Sequence, residues 1–563
     1  MRRAWASRPW AAVAFVVSWT SMAWAQHGDA RDPRAAQADP RLAAGQMAPV
    51  LEGVGTHHHE VTTKVERAQL FFDQGMKLTY AFNHAEAMRA FKEAARLDPD
   101  CAMAYWGWAL VLGPNINMPM QKDAVPQAYE AIQMALARMD KVSARERDYI
   151  EALAKRYVKD PGAERAPLDQ AYATAMRAVH EKDPADTDAG TLFAASLMEL
   201  SPWNYWTPDG QPRENTLEML RVLEGVLAQD SEHEGGLHYY IHAVEAVDPQ
   251  RGEKAADTLL KLAPQAGHLV HMPGHIYMRL GRYVDAYDCN VIAAKADEGY
   301  ISQCRVQGFY PLSYYPHNVH FIAWAALMQG RSKQAFAEAR KVAGRIPEDL
   351  HGNDWGLYET FLSMPLFVMV RFAMWEAVLA EPAPRESTPY CSGIWRYARG
   401  MALTHQGKLS EARRELAALA KIADAPESAK APVGYSNAAH LLGIARLVLR
   451  GEIAAKERRW DEAVTALDRA VRLEDGLTYN EPPDWYYPVR HTLGAILLEA
   501  GRPEEAEIVY WEDLRENRGN GFALFGVWKS LLAQGRTEEA AALEQRFRAA
   551  WSGADVELTS SRF

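Results

Sequence analysis

Cysteine is scarce in this sequence. Only four cysteines occur among 563 residues, which is too few for a disulfide scaffold. They form no CxxC or CxxCH pattern, so neither covalent haem attachment nor thioredoxin-like redox chemistry is indicated. One disulfide, between Cys289 and Cys304, is compatible with an oxidising compartment, and buried unpaired thiols are an equally good interpretation.

Clusters of basic residues and long apolar runs are also missing. The net charge is −11, and no stripe of Lys and Arg offers the contacts that phosphates need, so we expect no nucleic-acid partner. Beyond the N-terminus no stretch reaches about 18 uninterrupted apolar residues, so we expect no membrane span. The absence of GxSxG, Walker A, GxGxxG and HExxH patterns disfavours serine hydrolases, nucleotide-dependent enzymes and zincin-type peptidases.

The first 25 residues have the three parts of a secretory signal peptide. Three arginines lie within residues 1–8, residues 10–19 form a short apolar core, and residues 23–25 (Ala-Trp-Ala) give a small-residue cleavage pattern. We predict cleavage near Gln26 and a periplasmic or secreted mature protein. Residues 26–64 lack helical periodicity and are predicted to be a disordered leader that contains a histidine tract.

Internal repeats predict the fold. Five residues hold the small, aromatic and terminal positions of a 34-residue helix–turn–helix unit: Gly75, Ala87, Phe91, Ala94 and Pro99. The same spacing returns near residues 274, 323, 400, 451, 494 and 528. Glycine turns lie between the paired helices at residues 281, 330, 407, 501 and 535. Over most of residues 65–550 the chain resembles the tetratricopeptide repeat proteins.

This resemblance implies an all-α tetratricopeptide-repeat solenoid, a right-handed superhelix of helix pairs in which each pair covers the apolar face of its neighbour. We predict an N-terminal superhelix over 65–380, a Pro-rich hinge at 381–392, C-terminal repeats over 393–552 and a tail at 553–563. Pro-rich insertions at 113–126 and 201–213 are too long for repeat turns and are candidate functional surfaces.

Three segments resemble a group of exported bacterial tetratricopeptide repeat proteins. They are AFNHAEAMRAFKEAARLDPDCAMAYWGWAL (81–110), HMPGHIYMRLGRY (271–283) and YYPHNVHF (314–321). The resemblance supports export and the fold, and it implies no catalytic residue.

Histidine is concentrated in three consecutive repeats. Seven of the 18 histidines lie on predicted first helices, which line the concave groove of such solenoids: His238, His242, His268, His271, His275, His317 and His320. The HxxxH pairs 238/242 and 271/275 each place two imidazoles on one helical face, as a shared metal ion requires. We expect at least three of His238, His242, His271, His275 and His320 to converge on one ion. A hydrogen-bonded polar groove is the alternative.

The donor types indicate a divalent transition metal. Imidazoles with one carboxylate suit Cu, Zn or Fe, and seven histidines exceed the needs of a single ion. The surplus would form two adjacent sites, or one site with orienting and acid–base histidines. Glu245, on the same helical face, is a candidate proton shuttle.

A second polar region lies late in the chain. The segment 479–491 carries the candidate catalytic residues Glu481, Arg490 and His491, and the superhelix could bring it opposite the histidines. Glu481 or Asp484 would then supply a carboxylate and Arg490 would hold an anionic group. A Pro-rich helix entry with packed aromatics is the alternative. The tract 56–60 would either fold over the groove or stay exposed.

Two functions therefore remain open. In the first, the groove holds a metal centre that binds, and could act on, a small molecule or peptide. In the second, the protein is a scaffold without metal that holds a protein or an extended peptide on its concave face.

Overall fold

The computed structural model describes residues 45–207, 209–304, 309–348, 356–385 and 387–562. The predicted signal peptide and most of the predicted leader lie outside these residues. Within them the predicted all-α solenoid of helix pairs is confirmed, since a two-stranded hairpin, β1 (Pro432–Val433) with β2 (Ser436–Asn437), is the only sheet of the described chain. No described helix is long and apolar enough to cross a membrane.

Fifteen helices build the N-terminal part as far as residue 328. They are α1 (Glu66–Tyr80), α2 (His84–Leu97), α3 (Ala102–Leu110), α4 (Ala124–Leu136), α5 (Ala144–Ala154), α6 (Arg165–Lys182), α7 (Thr187–Leu200), α8 (Thr216–Gln229), α9 (Glu234–Val244), α10 (Pro249–Leu262), α11 (Gly267–His271), α12 (Pro273–Leu280), α13 (Tyr283–Cys304), α14 (Phe309–Leu312) and α15 (Tyr314–Met328).

Twelve described helices follow. They are α16 (Ser332–Ala343), α17 (Leu357–Arg371), α18 (Trp375–Ala380), α19 (Pro389–His405), α20 (Leu409–Ala423), α21 (Pro426–Lys430), α22 (Ala438–Lys456), α23 (Trp460–Asp475), α24 (Val489–Glu499), α25 (Pro503–Glu516), α26 (Gly521–Ala533) and α27 (Thr537–Ala550). Residues 381–392, the predicted hinge, cover the loop between α18 and α19 and the first turn of α19.

Small residues let the helices of successive repeats approach closely. Phe91 on α2 is fully buried between Gly75 on α1 and Gly107 on α3. A Cβ at Gly75 would lie 2.5 Å from the Phe91 ring, and one at Gly107 would overlap it as well. The repeat positions read from the sequence are therefore the positions that set the helix packing.

Residues in the left-handed backbone conformation form the turns inside the helix pairs. Gly281 and Gly330 have φ values of +77° and +70°, as their place after a first helix requires. Phe82, between α1 and α2, adopts φ +53° without being glycine. A bulky residue held in this region stores backbone strain of about 1–3 kcal/mol, which the surrounding packing must maintain.

The segment 46–64 lies against the solenoid, where the sequence predicts a disordered leader. Ala48, Val54 and Val61 are buried, and the Thr56 N–H donates to Glu234 at 2.7 Å. The Gly53 carbonyl accepts from the Gln265 N–H at 2.9 Å. Scattered apolar residues and backbone bonds hold this segment, and such contacts leave no periodic signal in a sequence.

The last repeats pack on the middle ones. Tyr283 donates its hydroxyl proton to the Arg518 carbonyl at 3.0 Å, and the Ser332 N–H donates to Asp555 at 2.7 Å. The predicted tail is docked too, because buried Ser561 donates to the His491 carbonyl at 2.7 Å. This closure brings the loop 476–488 opposite α9 and α12.

The four cysteines all lie within the described residues and are buried, and no disulfide joins any two of them. Burial raises the pKa of the Cys101 thiol to about 11, so this sulfur is a protonated core group.

Candidate metal centre

Six of the seven predicted histidines assemble into two adjacent groups. One ring nitrogen from each of His238, His242 and His268 lies within 4.8 Å of the others, and we name these residues the first trio. The same holds for His271, His275 and His317, the second trio. They are presented by α9, by the consecutive helices α11 and α12, and by α15, which are first helices of neighbouring repeats.

In the first trio the Nδ1 atoms of His238 and His242 already have partners. His238 Nδ1 lies 2.6 Å from the Tyr80 carbonyl oxygen, which only accepts, so the proton is on Nδ1 and the lone pair on Nε2. His242 Nδ1 lies 3.3 Å from Glu245 Oε1. Neither Nε2 atom has a hydrogen-bond partner, although both are buried.

His268 has no hydrogen bond at either ring nitrogen, although its side chain is buried. An unsatisfied buried polar atom costs about 1–3 kcal/mol, and native proteins rarely leave one without a reason. Burial lowers the pKa values of His238, His242 and His268 well below their ordinary range, and neighbouring imidazoles lower the pKa of His268 further. The first trio is therefore neutral, with lone pairs directed into a small space.

In the second trio, too, two Nδ1 atoms have hydrogen-bond partners. Asn290, on α13, accepts a 2.7 Å hydrogen bond from His271 Nδ1 while its amide nitrogen donates to the Ala286 carbonyl. His275 Nδ1 faces Glu481 at 2.9 Å. The Nε2 atoms of His271 and His275 lie 2.9 Å apart. Two lone pairs at this distance repel unless a proton or a metal cation lies between them.

Two carboxylates orient the imidazoles. Glu245 lies 3.3 Å from His242 Nδ1 and 3.3 Å from His275 Nδ1, so it connects the two trios. Burial raises the pKa of Glu245 to about 8, and the neighbouring Glu481 adds to the effect. Burial opposes the charged form of His275, but the two carboxylates outweigh it and raise the pKa of this imidazole. A carboxylate behind a histidine is the usual support of a metal ligand.

Aromatic rings surround the trios. Phe82 contacts the first trio, with its ring centre 4.4 Å from that of His238. Phe321 contacts all three rings of the second trio at 4.7–5.0 Å. Trp203, from the predicted insertion, packs edge-on against His242 at 4.9 Å and donates to Asn117 of the other insertion. The two insertions thus meet beside the histidines.

The structure places the remaining predicted residues elsewhere. His320 points away from the trios, between the rings of Phe361 and Tyr486, and burial lowers its pKa to about 3.

Arg490 of the later segment pairs with Asp475 at 2.6 and 2.9 Å. His491 lies between Arg371 and Asp513. Of the candidates from the later segment, Glu481 alone contacts a histidine of a trio.

Asp484 is held in its own loop. Its Oδ1 atom accepts from Asn480 at 2.7 Å, and burial raises its pKa to about 7. Glu481, three residues earlier, is the carboxylate of this loop that lies 2.9 Å from His275 Nδ1.

The sequence predicts that at least three of His238, His242, His271, His275 and His320 converge on one ion. The structure divides these residues differently, since none of the groups contains three of them. Neighbouring first helices are separated by about 8–10 Å, so equivalent positions on three successive helices span roughly twice that distance. His238, His271 and His320 are therefore too far apart to bind one shared ion. Each gap between neighbouring helices is instead closed by the residue one turn away, which is His268 in the first trio and His317 in the second.

A third group lies near the N-terminal segment. His57 Nε2, His59 Nδ1 and His233 Nε2 surround the buried Asp188 carboxylate at 2.6–3.2 Å, and the Tyr80 hydroxyl donates to it. The Gly236 N–H donates to His233 Nδ1 at 3.0 Å, so the proton of neutral His233 is on Nε2 and no lone pair there is available to a metal. This group is a hydrogen-bonded cluster centred on Asp188.

Several supporting residues could not be found by sequence reasoning. The Tyr80 carbonyl lies 158 positions from His238 along the chain, and no motif connects Asn290 to His271. The one available signal is that Asn290 falls seven residues after Tyr283, on the second helix of the repeat that carries His268, His271 and His275.

Comparisons with known proteins add little to this picture. No protein-family model and no curated protein sequence matches the chain. Among solved structures, the human IFIT1 dimer with PPP-AAAA has 12% identity and a TM-score of 0.31, covering 84% of this chain and 89% of its own. The Cut9–Hcn1 complex has 12% identity and a TM-score of 0.31, and the match covers 86% of this chain and 76% of that one. Yeast Tom70 has 12% identity and a TM-score of 0.28, with 86% of this chain and 90% of that one covered. Likeness at this level carries no inference about ligands or partners.

Proposed function

We propose that this protein is a tetratricopeptide-repeat metalloprotein with a dinuclear centre, one ion in each trio. The observation that carries the proposal is the set of buried Nε2 lone pairs left without hydrogen bonds in the first trio, within 4.8 Å of one another. The Nδ1 atom of His238 is already committed to the Tyr80 carbonyl, and that of His242 contacts Glu245. That arrangement is how proteins prepare imidazoles for a metal.

The alternative of a purely hydrogen-bonded groove accounts less well for the geometry. A polar network is stable in a protein interior when its members are satisfied, and His268 has no partner at either nitrogen. A scaffold for protein partners would also need an open groove, whereas five of the six trio histidines are buried. Export, which the N-terminal sequence predicts, would give the centre access to extracytoplasmic metal.

The chemistry available to such a centre follows from its ligands. Three imidazoles leave an open coordination position on each ion, as catalytic sites do and closed structural sites do not. Glu245, which contacts an imidazole of each trio, would exchange a proton with a group bound there. We therefore propose that the centre binds a small exogenous molecule as well as the metal.

Metal analysis of variants tests this proposal. The full chain, purified without an affinity tag, should contain two transition-metal ions. His238→Ala and His271→Ala should each retain one ion, because they disable different trios. His320→Gln removes an equally buried imidazole outside the trios and should keep both. A chain that binds no metal, or variants that keep both ions, would contradict the dinuclear centre.

A further inference from the structure

The N-terminal segment crosses the beginnings of four successive first helices. Every third residue of residues 53–62, which we name the brace, makes one contact: Thr62 with Glu146, His59 with Asp188, Thr56 with Glu234 and Gly53 with Gln265. The three carboxylates lie within the first three residues of α5, α7 and α9, and Gln265 lies two residues before α11. The brace therefore meets one new helix with every third residue.

The spacing of these contacts matches the spacing of the helices. An extended chain advances about 10 Å over three residues, and packed helices are separated by about 8–10 Å. Before residue 53 the chain turns back to the first repeat, where the Leu51 N–H donates to Gln74 on α1 at 2.8 Å. A segment bonded in this register holds the distances between the helices that it joins.

The last two contacts of the brace lie beside the first trio. Glu234 lies one helical turn before His238 on the same face of α9, and Gln265 precedes His268 of α11 by three residues. The bonds from the brace to these two positions measure 2.7 and 2.9 Å. They span the gap between α9 and α11, which is the gap that an ion in the first trio would bridge.

Tyr80 makes a second connection between the brace and the first trio. Its hydroxyl donates to Asp188, which also lies 2.6 Å from His59 Nδ1 of the brace. Its carbonyl lies 2.6 Å from His238 Nδ1. Gly235 of α9 packs on the Tyr80 ring so closely that a Cβ there would overlap it. One buried residue thus joins an anchor of the brace to a histidine of the first trio.

The second trio spans a different gap. Its histidines come from α11, α12 and α15, and the gap between α12 and α15 lies beyond the last contact of the brace. A coupling that acts through the brace should therefore distinguish the two trios.

We infer that the brace regulates metal binding at the first trio. This inference rests on the proposed dinuclear centre and adds the regulation of one of its sites. An ion that binds three ring nitrogens within 4.8 Å of one another and a docked brace both require the same spacing of α9 and α11. Each should therefore stabilise the other, and the two effects are equal because coupling between two binding events is reciprocal.

Gly55 offers a substitution within the brace itself. Its φ is +120°, and a Cβ there would overlap the Glu234 carboxylate. Gly55→Ala should therefore release this part of the brace from α9. Gly45→Ala is the matched control, because Gly45 has a φ of +79° and a Cβ there would meet nothing within 4 Å.

The affinity of each trio can be measured separately, with Zn²⁺ as the probe and a chromophoric chelator as the competitor. His317→Ala should leave the first trio as the complete site, and His242→Ala should leave the second. In the His317→Ala chain, Gly55→Ala should raise the dissociation constant at least about fivefold, and Gly45→Ala should not change it. In the His242→Ala chain neither glycine substitution should change it. Circular dichroism checks that the helical content is retained.

Hydrogen exchange tests the same coupling without altering the brace. In the His317→Ala chain, saturating Zn²⁺ should slow exchange of the peptide that contains Thr56 at least about fivefold. In the His242→Ala chain Zn²⁺ should leave this exchange unchanged.

The outcomes separate this inference from the proposal on which it rests. Equal losses of affinity at both trios in Gly55→Ala, no loss at the first trio, or brace exchange that is indifferent to Zn²⁺ at the first trio would overturn the coupling and leave the dinuclear centre standing. A full chain that binds neither Zn²⁺ nor Cu²⁺ would overturn both.

Discussion

At the scale of single residues, the orientation of each imidazole depends on what holds its Nδ1 atom. In the second trio Asn290 holds His271 and Glu481 holds His275, each through one hydrogen bond below 3 Å. In the proposed centre both contacts would leave Nε2 as the coordinating atom. Since an ionised carboxylate also raises the basicity of the imidazole, Glu481 should affect the affinity as well as the geometry.

Replacing Glu481 by Gln should therefore weaken metal binding at the second trio by about 10–100-fold and leave the first trio nearly unchanged. Competition with a chromophoric chelator resolves the two dissociation constants. Arg490→Gln is the control, because this guanidinium from the same segment pairs with Asp475. Equal losses in the two variants would mean that the substitution acts through the loop and not through His275.

At the scale of elements, the close approach of repeats depends on glycine at defined places. Gly107→Ala should lower the free energy of unfolding by about 1–2 kcal/mol, since the new Cβ overlaps the buried Phe91 ring. Gly443→Ala is matched to it, because Gly443 is also buried in a helix, yet a Cβ there would meet only Leu473 at 3.7 Å. That variant should be neutral or stabilising by up to about 1 kcal/mol.

Urea midpoints of the two glycine variants provide the comparison. If Gly443→Ala is destabilised as much as Gly107→Ala, close helix packing is not the reason for glycine at the repeat positions.

The N-terminal segment 46–64 is the element whose attachment should depend on pH. Burial disfavours charge on His57, but Asp188, with Glu234 and Asp73 further away, outweighs it and raises the His57 pKa above 6.5. Its charged contact is then fully present below about pH 6.5 and is lost as the pH rises through the raised pKa. The pKa of Asp188 is lowered well below 3.8, so this carboxylate stays ionised over the same range.

Hydrogen exchange of this segment should therefore be slower at about pH 6 than at about pH 8, after correction for intrinsic rates. Besides His57, the groups that face Asp188 are His59, His233 and Tyr80, and Arg145 lies beside His59. Asp188→Asn should abolish the pH difference, whereas His58→Ala, at an exposed ring that pairs with Asp73, should keep it. A difference that survives in Asp188→Asn would contradict this account.

At the scale of the whole molecule, the site exists because the solenoid closes on itself. Glu481 contacts His275 from 206 positions along the chain, and residues 518 and 555 pack against the repeats around 283 and 332. Ions bound within this closed unit should stabilise all of it. At free metal about 100 times the dissociation constant, each ion should add about 2.7 kcal/mol to the free energy of unfolding.

Thermal unfolding of the metal-free and metal-loaded chains measures this effect. The melting temperature should fall on chelation and recover on reloading, while far-ultraviolet circular dichroism at room temperature stays the same. A helical signal that collapses on chelation would show instead that the metal is needed for folding.

The contrast between what the sequence predicts and what it misses has a physical basis. Helix pairs follow from glycine, alanine and aromatic spacing, which is local, so the fold and the histidine-bearing helices were predictable. The division into two trios depends on the offset between neighbouring helices, which decided that His317 and not His320 joins His271. Contacts such as Tyr80 with His238, and the docking of residues 46–64, join distant parts of the chain and leave no local pattern.

Anomalous diffraction from crystals of the full chain tests the central claim most directly. Data collected on both sides of the metal absorption edge should show two peaks, one among the ring nitrogens of His238, His242 and His268 and one among those of His271, His275 and His317. Each peak should lie about 2.0–2.1 Å from its imidazole nitrogens. A map from metal-replete crystals without density at either trio, or with a single peak at the Asp188 cluster, would contradict the dinuclear centre.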